Sequence, residues 1–197
     1  MLDLIVATHN RGKMVEIEAL LSDMPIKVRC LADAAPDFTV TEDGETFAEN
    51  AIKKAEAVAG RFDCACLADD SGLCVDQLDG RPGVYSARFA GEDATDGDNN
   101  QKLLDMLTGT EERTARFVCV MALALPGRET VTVEGVCEGR IVDELSGDGG
   151  FGYDPLFVPA GYDETFARLG SGVKNRISHR AKALHMMKER IASLEGL

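Results

Sequence analysis

The opening of the chain constrains its fold most. Residues 2–7 (Leu-Asp-Leu-Ile-Val-Ala) are apolar except at Asp3, the pattern of a short buried strand. A polar break follows at Thr8-His9-Asn10-Arg11-Gly12-Lys13. Met14, Ile17, Leu20 and Leu21 then recur at helical spacing, with Glu16 and Glu18 off that face. A strand passing through a tight polar turn into a helix is the beginning of an α/β layer structure. Further along, the pattern predicts a strand over 26–31, acidic turns over 37–44, and a helix over 46–60 with Gly60 as its stop. A strand over 64–68 should end at Asp69-Asp70-Ser71-Gly72, and Gly80-Arg81-Pro82-Gly83 should turn. A helix through 101–107, starting near Asp96, precedes two strands over 114–125 and 129–140 joined at Pro126-Gly127. Gly147, Gly149, Gly150 and Gly152 exclude an element interior. Residues 178–194 predict a last helix, with Ser178 as N-cap and Ala181, Leu184, Met187 and Ile191 on one face. Neither an internal repeat nor a linker is evident, so the expectation is one mixed α/β domain.

With 197 residues, 45% hydrophobic and 28% charged, the chain has the composition of a globular domain. No apolar run approaches the ~20 residues that span a bilayer, and the N-terminus lacks a signal-peptide pattern, so a cytoplasmic protein without membrane contact is expected. Acidic residues outnumber basic ones 34 to 21, for a net charge of −13. That balance argues against binding a nucleic-acid polymer, but it leaves room for a small polyanion held by a few cations, backbone N–H groups and a metal. The six cysteines follow no disulfide or zinc spacing and are expected as reduced, buried thiols.

Four segments carry candidate chemistry. Thr8-His9-Asn10-Arg11-Gly12-Lys13 sits where a helix N-terminus attracts anions, and Lys13 adds a full charge; a capped helix start with an incidental lysine is an equal alternative. Asp69-Asp70-Ser71-Gly72, with Glu42 and Glu45 upstream, offers hard oxygens of the kind Mg²⁺ takes, or a carboxylate to activate water; an Asp-rich turn is the plainer explanation. In Gly149-Gly150-Phe151-Gly152-Tyr153-Asp154-Pro155, aromatics could stack on a base and Asp154 could accept from its edge, unless they simply pack inward. Lys174-Asn175-Arg176-Ile177-Ser178-His179-Arg180 places cations at the expected start of the last helix. They oppose the helix dipole there, which suits either phosphate or base recognition or a solvated turn.

Together with Thr46-Phe47-Ala48-Glu49-Asn50-Ala51 and Pro82-Gly83-Val84-Tyr85-Ser86-Ala87-Arg88, these motifs resemble, in order and spacing, the inosine triphosphate pyrophosphatase family of non-canonical purine NTP pyrophosphatases. The resemblance covers almost the whole chain. It implies a single domain (1–197) of two α/β lobes around a long mixed sheet, a substrate cleft between the lobes, and a homodimer. It also implies hydrolysis of ITP, dITP and XTP between the α- and β-phosphates. Carried over by position, Asp70 is the general base, and Glu42 and Asp70 lie near Mg²⁺. Residues Thr8, His9, Asn10, Arg11, Gly12 and Lys13, with Lys54 and Lys174, line the triphosphate, His9 without a catalytic role. Ser71 contacts substrate beside the base. Phe151, Gly152, Tyr153 and Asp154, with His179 and Arg180, form the purine pocket. Donors from His179 or Arg180 would pair with a 6-carbonyl and meet only another donor in adenine. His185 should be a surface or packing residue.

Overall fold

A computed structural model of the chain describes residues 2–193. β1 (Leu2–Val6) leads through the polar turn into α1 (Arg11–Leu21), as the apolar run and the helical spacing require. β2 (Ile26–Cys30) ends one residue early because Leu31 starts a short helix, α2 (Leu31–Ala34). The order continues with α3 (Phe47–Phe62), β3 (Ala65–Val75), α4 (Asp96–Met106), β4 (Thr114–Ala124), β5 (Val131–Ile141), β6 (Phe157–Pro159), α5 (Phe166–Ile177) and α6 (His179–Ser193). The strands form one sheet in the order β2-β1-β3-β4-β5-β6. β1 runs parallel to β2 and β3, and β5 antiparallel to β6, so the fold is α/β with a mixed sheet. Among the described residues no helix is long and apolar enough to cross a membrane.

The chain divides into two compact units. Among the described residues, the first comprises 2–70, 119–135 and 180–193; the second comprises Ser71–Val118 and Val136–His179. In the first, Leu4, Val6, Leu67, Met121 and Leu123 pack against Met14, Ile17 and Leu21 of α1 and Leu184, Met187 and Ile191 of α6. Their chain neighbours Ile5, Ala7, Cys66, Ala68, Val120 and Ala122 pack against Ala51, Ala55 and Val58 of α3. Strand side chains alternate between faces, so a sheet covered on both sides needs the continuous apolar runs seen in the sequence. Each fully buried Leu or Ile contributes about 1.5–3 kcal/mol. The second unit packs Leu73, Val75, Leu103 and Leu156 around aromatic rings, with Phe117 and Phe157 centroids 4.6 Å apart and Phe157 and Phe166 5.5 Å apart.

Three expectations are corrected. α3 does not stop at Gly60: a capping box between Thr46 and Glu49 and the buried face of Ala51, Ala55 and Val58 carry it to Phe62, and Asp63, at φ 49°, closes it. Asp69-Asp70-Ser71-Gly72 is not a strand-ending turn but the interior of β3. The carboxylates find protein partners there instead of solvent, and Leu73 and Val75 return to an apolar core. Lys174 and Arg176 do not open the last helix. They occupy the last turn of α5, where cations complement the dipole, and α5 escapes a periodicity search because Gly170, at φ 76°, interrupts it. In α6, Ala181, Leu184, Met187 and Ile191 are buried as expected, and His185 is exposed beside Glu189; Leu194 lies outside the described residues.

Candidate active site

In the first unit, α1 begins at Asn10, whose Oδ1 accepts from the Lys13 N–H at 3.0 Å, while Thr8 Oγ1 accepts from the Asn10 N–H at 3.1 Å. This caps the helix and leaves His9, Asn10 and Arg11 exposed. Lys13 Nζ reaches Asp69 Oδ2 at 3.1 Å, and Arg180 Nη2 meets the same oxygen at 3.2 Å. Arg180 is 1% exposed and also binds Glu16 of α1 through Nη1. Lys54 of α3 donates to the Asp69 carbonyl at 2.7 Å and to Glu42 Oε1 at 2.9 Å.

The surroundings of the adjacent carboxyls Asp69 and Asp70 displace their pKa values in opposite directions. Burial alone would raise Asp69, but the charges of Lys13, Arg180 and Lys54 outweigh it and hold the group well below the usual carboxylate range. For Asp70, burial prevails over the pull of Lys54 and Lys13, and the negative charge of Glu42 adds to it, so its pKa is raised. Asn50 donates to Asp70 Oδ2 at 3.0 Å and accepts the Gly44 N–H at 2.8 Å through its own Oδ1. A Cβ on Gly44 would stand 2.7 Å from that oxygen, so the loop carrying Glu42 approaches α3 only with glycine here. Two adjacent carboxyls set in different surroundings, one among cations and one against an asparagine, are able to take different chemical roles. Glu42 and Asp70 also suit a Mg²⁺ ion as a donor set. Both offer hard oxygens, their charges repel where a cation would relieve them, and Mg²⁺ takes one or two carboxylates with the rest from phosphate and water.

In the second unit, Asp154 is buried and gathers the glycine loop. Its Oδ2 accepts the Phe151 N–H at 3.0 Å and pairs with Lys174 Nζ at 2.6 Å, and the ammonium lies 4.3 Å from the Phe151 ring centroid. Gly150, at φ 77°, leaves no room for a side chain, because a Cβ would fall 2.1 Å from Asp154 Oδ2. Tyr153 donates its hydroxyl to the Ser86 carbonyl at 2.8 Å, and Ser86 Oγ in turn accepts the Leu73 N–H at 2.9 Å. His179 is buried and stacked on Phe117, with ring centroids 4.7 Å apart. Ser71 is half-buried in β3, next in the chain to Asp70.

A model of the Ham1 family matches residues 4–190. The chain belongs to the Ham1 family. It is 54% identical over 189 residues to the dITP/XTP pyrophosphatase of Desulforamulus reducens, with 94% of each chain covered. To the dITP/XTP pyrophosphatase of Bacillus subtilis (strain 168) it is 50% identical over 191 residues, with 96% of each covered. The Ham1 protein of Staphylococcus aureus has the same fold, with a TM-score of 0.87, 41% identity, and 96% of this chain and 98% of that one covered. In this Ham1 chain two of the expected site residues have partners within the protein. Lys174, expected along the triphosphate, has Asp154 and Phe151 as partners. Arg180, expected at the base, binds Glu16 and Asp69. Asn50, Glu16 and the charge-holding role of Asp69 were missed by sequence reasoning. The available signals were spacings: Asn50 stands four residues before Lys54, and Glu16 three after Lys13, so each pair shares a helix face.

Proposed function

We propose that this Ham1 protein hydrolyses non-canonical purine nucleoside triphosphates, among them dITP, ITP and XTP, to the monophosphate and pyrophosphate. The observation that carries this reading is the geometry of two neighbouring buried carboxyls on β3: Asp69 is held by Lys13 at 3.1 Å and Arg180 at 3.2 Å, while Asp70 accepts from Asn50 at 3.0 Å. Asp70 takes the proton of the attacking water. Lys13, with the capped turn from Thr8 through Gly12, and Lys54 bind the phosphates, and Arg180 fixes Asp69 so that Lys13 keeps its position. Glu42 and Asp70 hold Mg²⁺, which when bound neutralises phosphate charge and withdraws electrons from the scissile anhydride. Phe151, Gly152, Tyr153 and Asp154 receive the base. Lys174 orders their loop, Ser71 contacts the substrate nearby, and His179 donates to the 6-carbonyl. A cytoplasmic homodimer belongs to the same proposal, its assembly being measurable by sedimentation.

The test is release of pyrophosphate and orthophosphate from dITP, XTP, dGTP and dATP, with Mg²⁺ and with EDTA. Metal-dependent pyrophosphate from dITP and XTP, with dATP and dGTP nearly inert, is the expected result. Orthophosphate release, or equal turnover of dATP, overturns the reading. In His179→Ala, an unaltered dITP-to-dATP ratio of kcat/KM would remove the histidine from base recognition while leaving the reaction intact.

A further inference from the structure

Within the glycine loop, α4 holds both peptide groups that flank one residue, Gly152. The Gly152 N–H donates to Asp96 Oδ2 at 2.7 Å, and the Gly152 carbonyl accepts from Asn100 Nδ2 at 3.0 Å. Asp96 and Asn100 are four residues apart, so they stand one turn from each other on the same side of the helix. The helix is itself well anchored, with a capping box between Thr95 and Asp98. Asn99 accepts the Ala90 N–H at 2.7 Å and donates to the Ala87 carbonyl at 3.1 Å. Asn100 is 4% exposed, and its Oδ1 has no hydrogen-bond partner among the described residues. An apolar side chain of the same size would avoid the penalty of a buried lone oxygen, so what this asparagine supplies is the bond at its other end.

We propose that the Asp96 and Asn100 clamp on Gly152 determines specificity, by keeping the loop from turning a peptide group to suit a purine with a 2-amino substituent. The proposal rests on the base-pocket reading above and deepens it. Hypoxanthine, xanthine and guanine share the 6-carbonyl, so a donor to that oxygen cannot separate them. Rejection of guanine needs a partner at the 2-position that stays unfavourable. A glycine-rich loop rotates its peptides at little steric expense, and Gly152 already sits at φ 60°. Rotation of either peptide flanking Gly152 breaks a bond to α4. Asp96 and Asn100 are therefore positioning residues, acting on Phe151 and Asp154 through the glycine between them.

The experiment compares kcat and KM for dITP and dGTP, together with Tm, in the wild type, Asp96→Ala, Asn100→Leu and Asp96→Asn. The dITP-to-dGTP ratio of kcat/KM should fall roughly tenfold or more in Asp96→Ala and in Asn100→Leu. The dITP effect should lie more in KM than in kcat. Asn100→Leu, which removes the lone oxygen, should not lower Tm, and Asp96→Asn, which still offers an acceptor, should restore the ratio. An unaltered ratio in both folded loss variants, with the wild type active, overturns the clamp alone. A wild type that releases no pyrophosphate from dITP overturns the functional reading, and the clamp's role with it.

Discussion

Lys13, Arg180, Asp69 and Lys54 of the first unit are held chiefly by one another's charge, whereas Phe151, Gly152 and Asp154 of the second are held mostly through the main chain. The charged group stands on regular elements. Lys13 and Glu16 lie on α1, Asn50 and Lys54 on α3, Asp69 and Asp70 on β3, and Arg180 in the first turn of α6. The loop group has little regular structure of its own. It borrows rigidity from α4, from the Lys174 end of α5, and from glycines that admit backbone where a Cβ could not go. Removing a charge should therefore damage the first unit and a backbone change the second.

The largest effect tests the tuned pair. Asp70→Asn should lower kcat roughly 10³-fold, the loss typical of a missing general base. It should also raise Tm at pH 7, because burial and Glu42 disfavour the charged form that the asparagine replaces. In the wild type Asp70 must be ionised to accept a proton. Burial and Glu42 raise the pKa of Asp70 in the metal-free protein, and a bound cation opposes that shift, so activity should decline on acidification at a higher pH when Mg²⁺ is subsaturating than when it is saturating. Near-native turnover in Asp70→Asn would dissolve the contrast between the two carboxyls.

Next in size, Asp69→Asn should destabilise the fold by about 3–5 kcal/mol in urea denaturation at pH 7, since it leaves buried Arg180 short of one of its carboxylates. Asp69 is held below its ordinary pKa, so its contribution is present above the unfolded value and fades as pH falls through the depressed one. The difference between the variant and the wild type should shrink in acid. A loss under about 1 kcal/mol would mean that this network behaves like a surface ion pair.

The smallest effect belongs to the loop. Gly150→Ala should cost about 1–3 kcal/mol through its positive φ and the collision with Asp154, and should raise the KM for dITP more than it lowers kcat. A fall in kcat as large as that of Asp70→Asn would erase the distinction between charge-built and backbone-built halves.

The legible parts of the sequence were those with a continuous pattern. β1 follows from its unbroken apolar run, and α1 and the buried face of α6 follow from the 3.6-residue repeat, because both patterns record which faces must leave water. Asp70, Lys13 and Phe151 could be singled out because a carboxylate pair, a lysine at a helix start and an aromatic among glycines carry their chemistry locally. Such features name candidates without naming partners. The sequence alone determined the α/β class and the segments that bear functional groups. Tertiary structure decided that β3 runs on through Asp69 and Asp70, that Arg180 answers Asp69 and Glu16 across 111 and 164 residues of chain, and that α4 clamps Gly152. A hydrogen bond or ion pair depends on distance in space, and among residues far apart in the chain only the folded packing sets that distance.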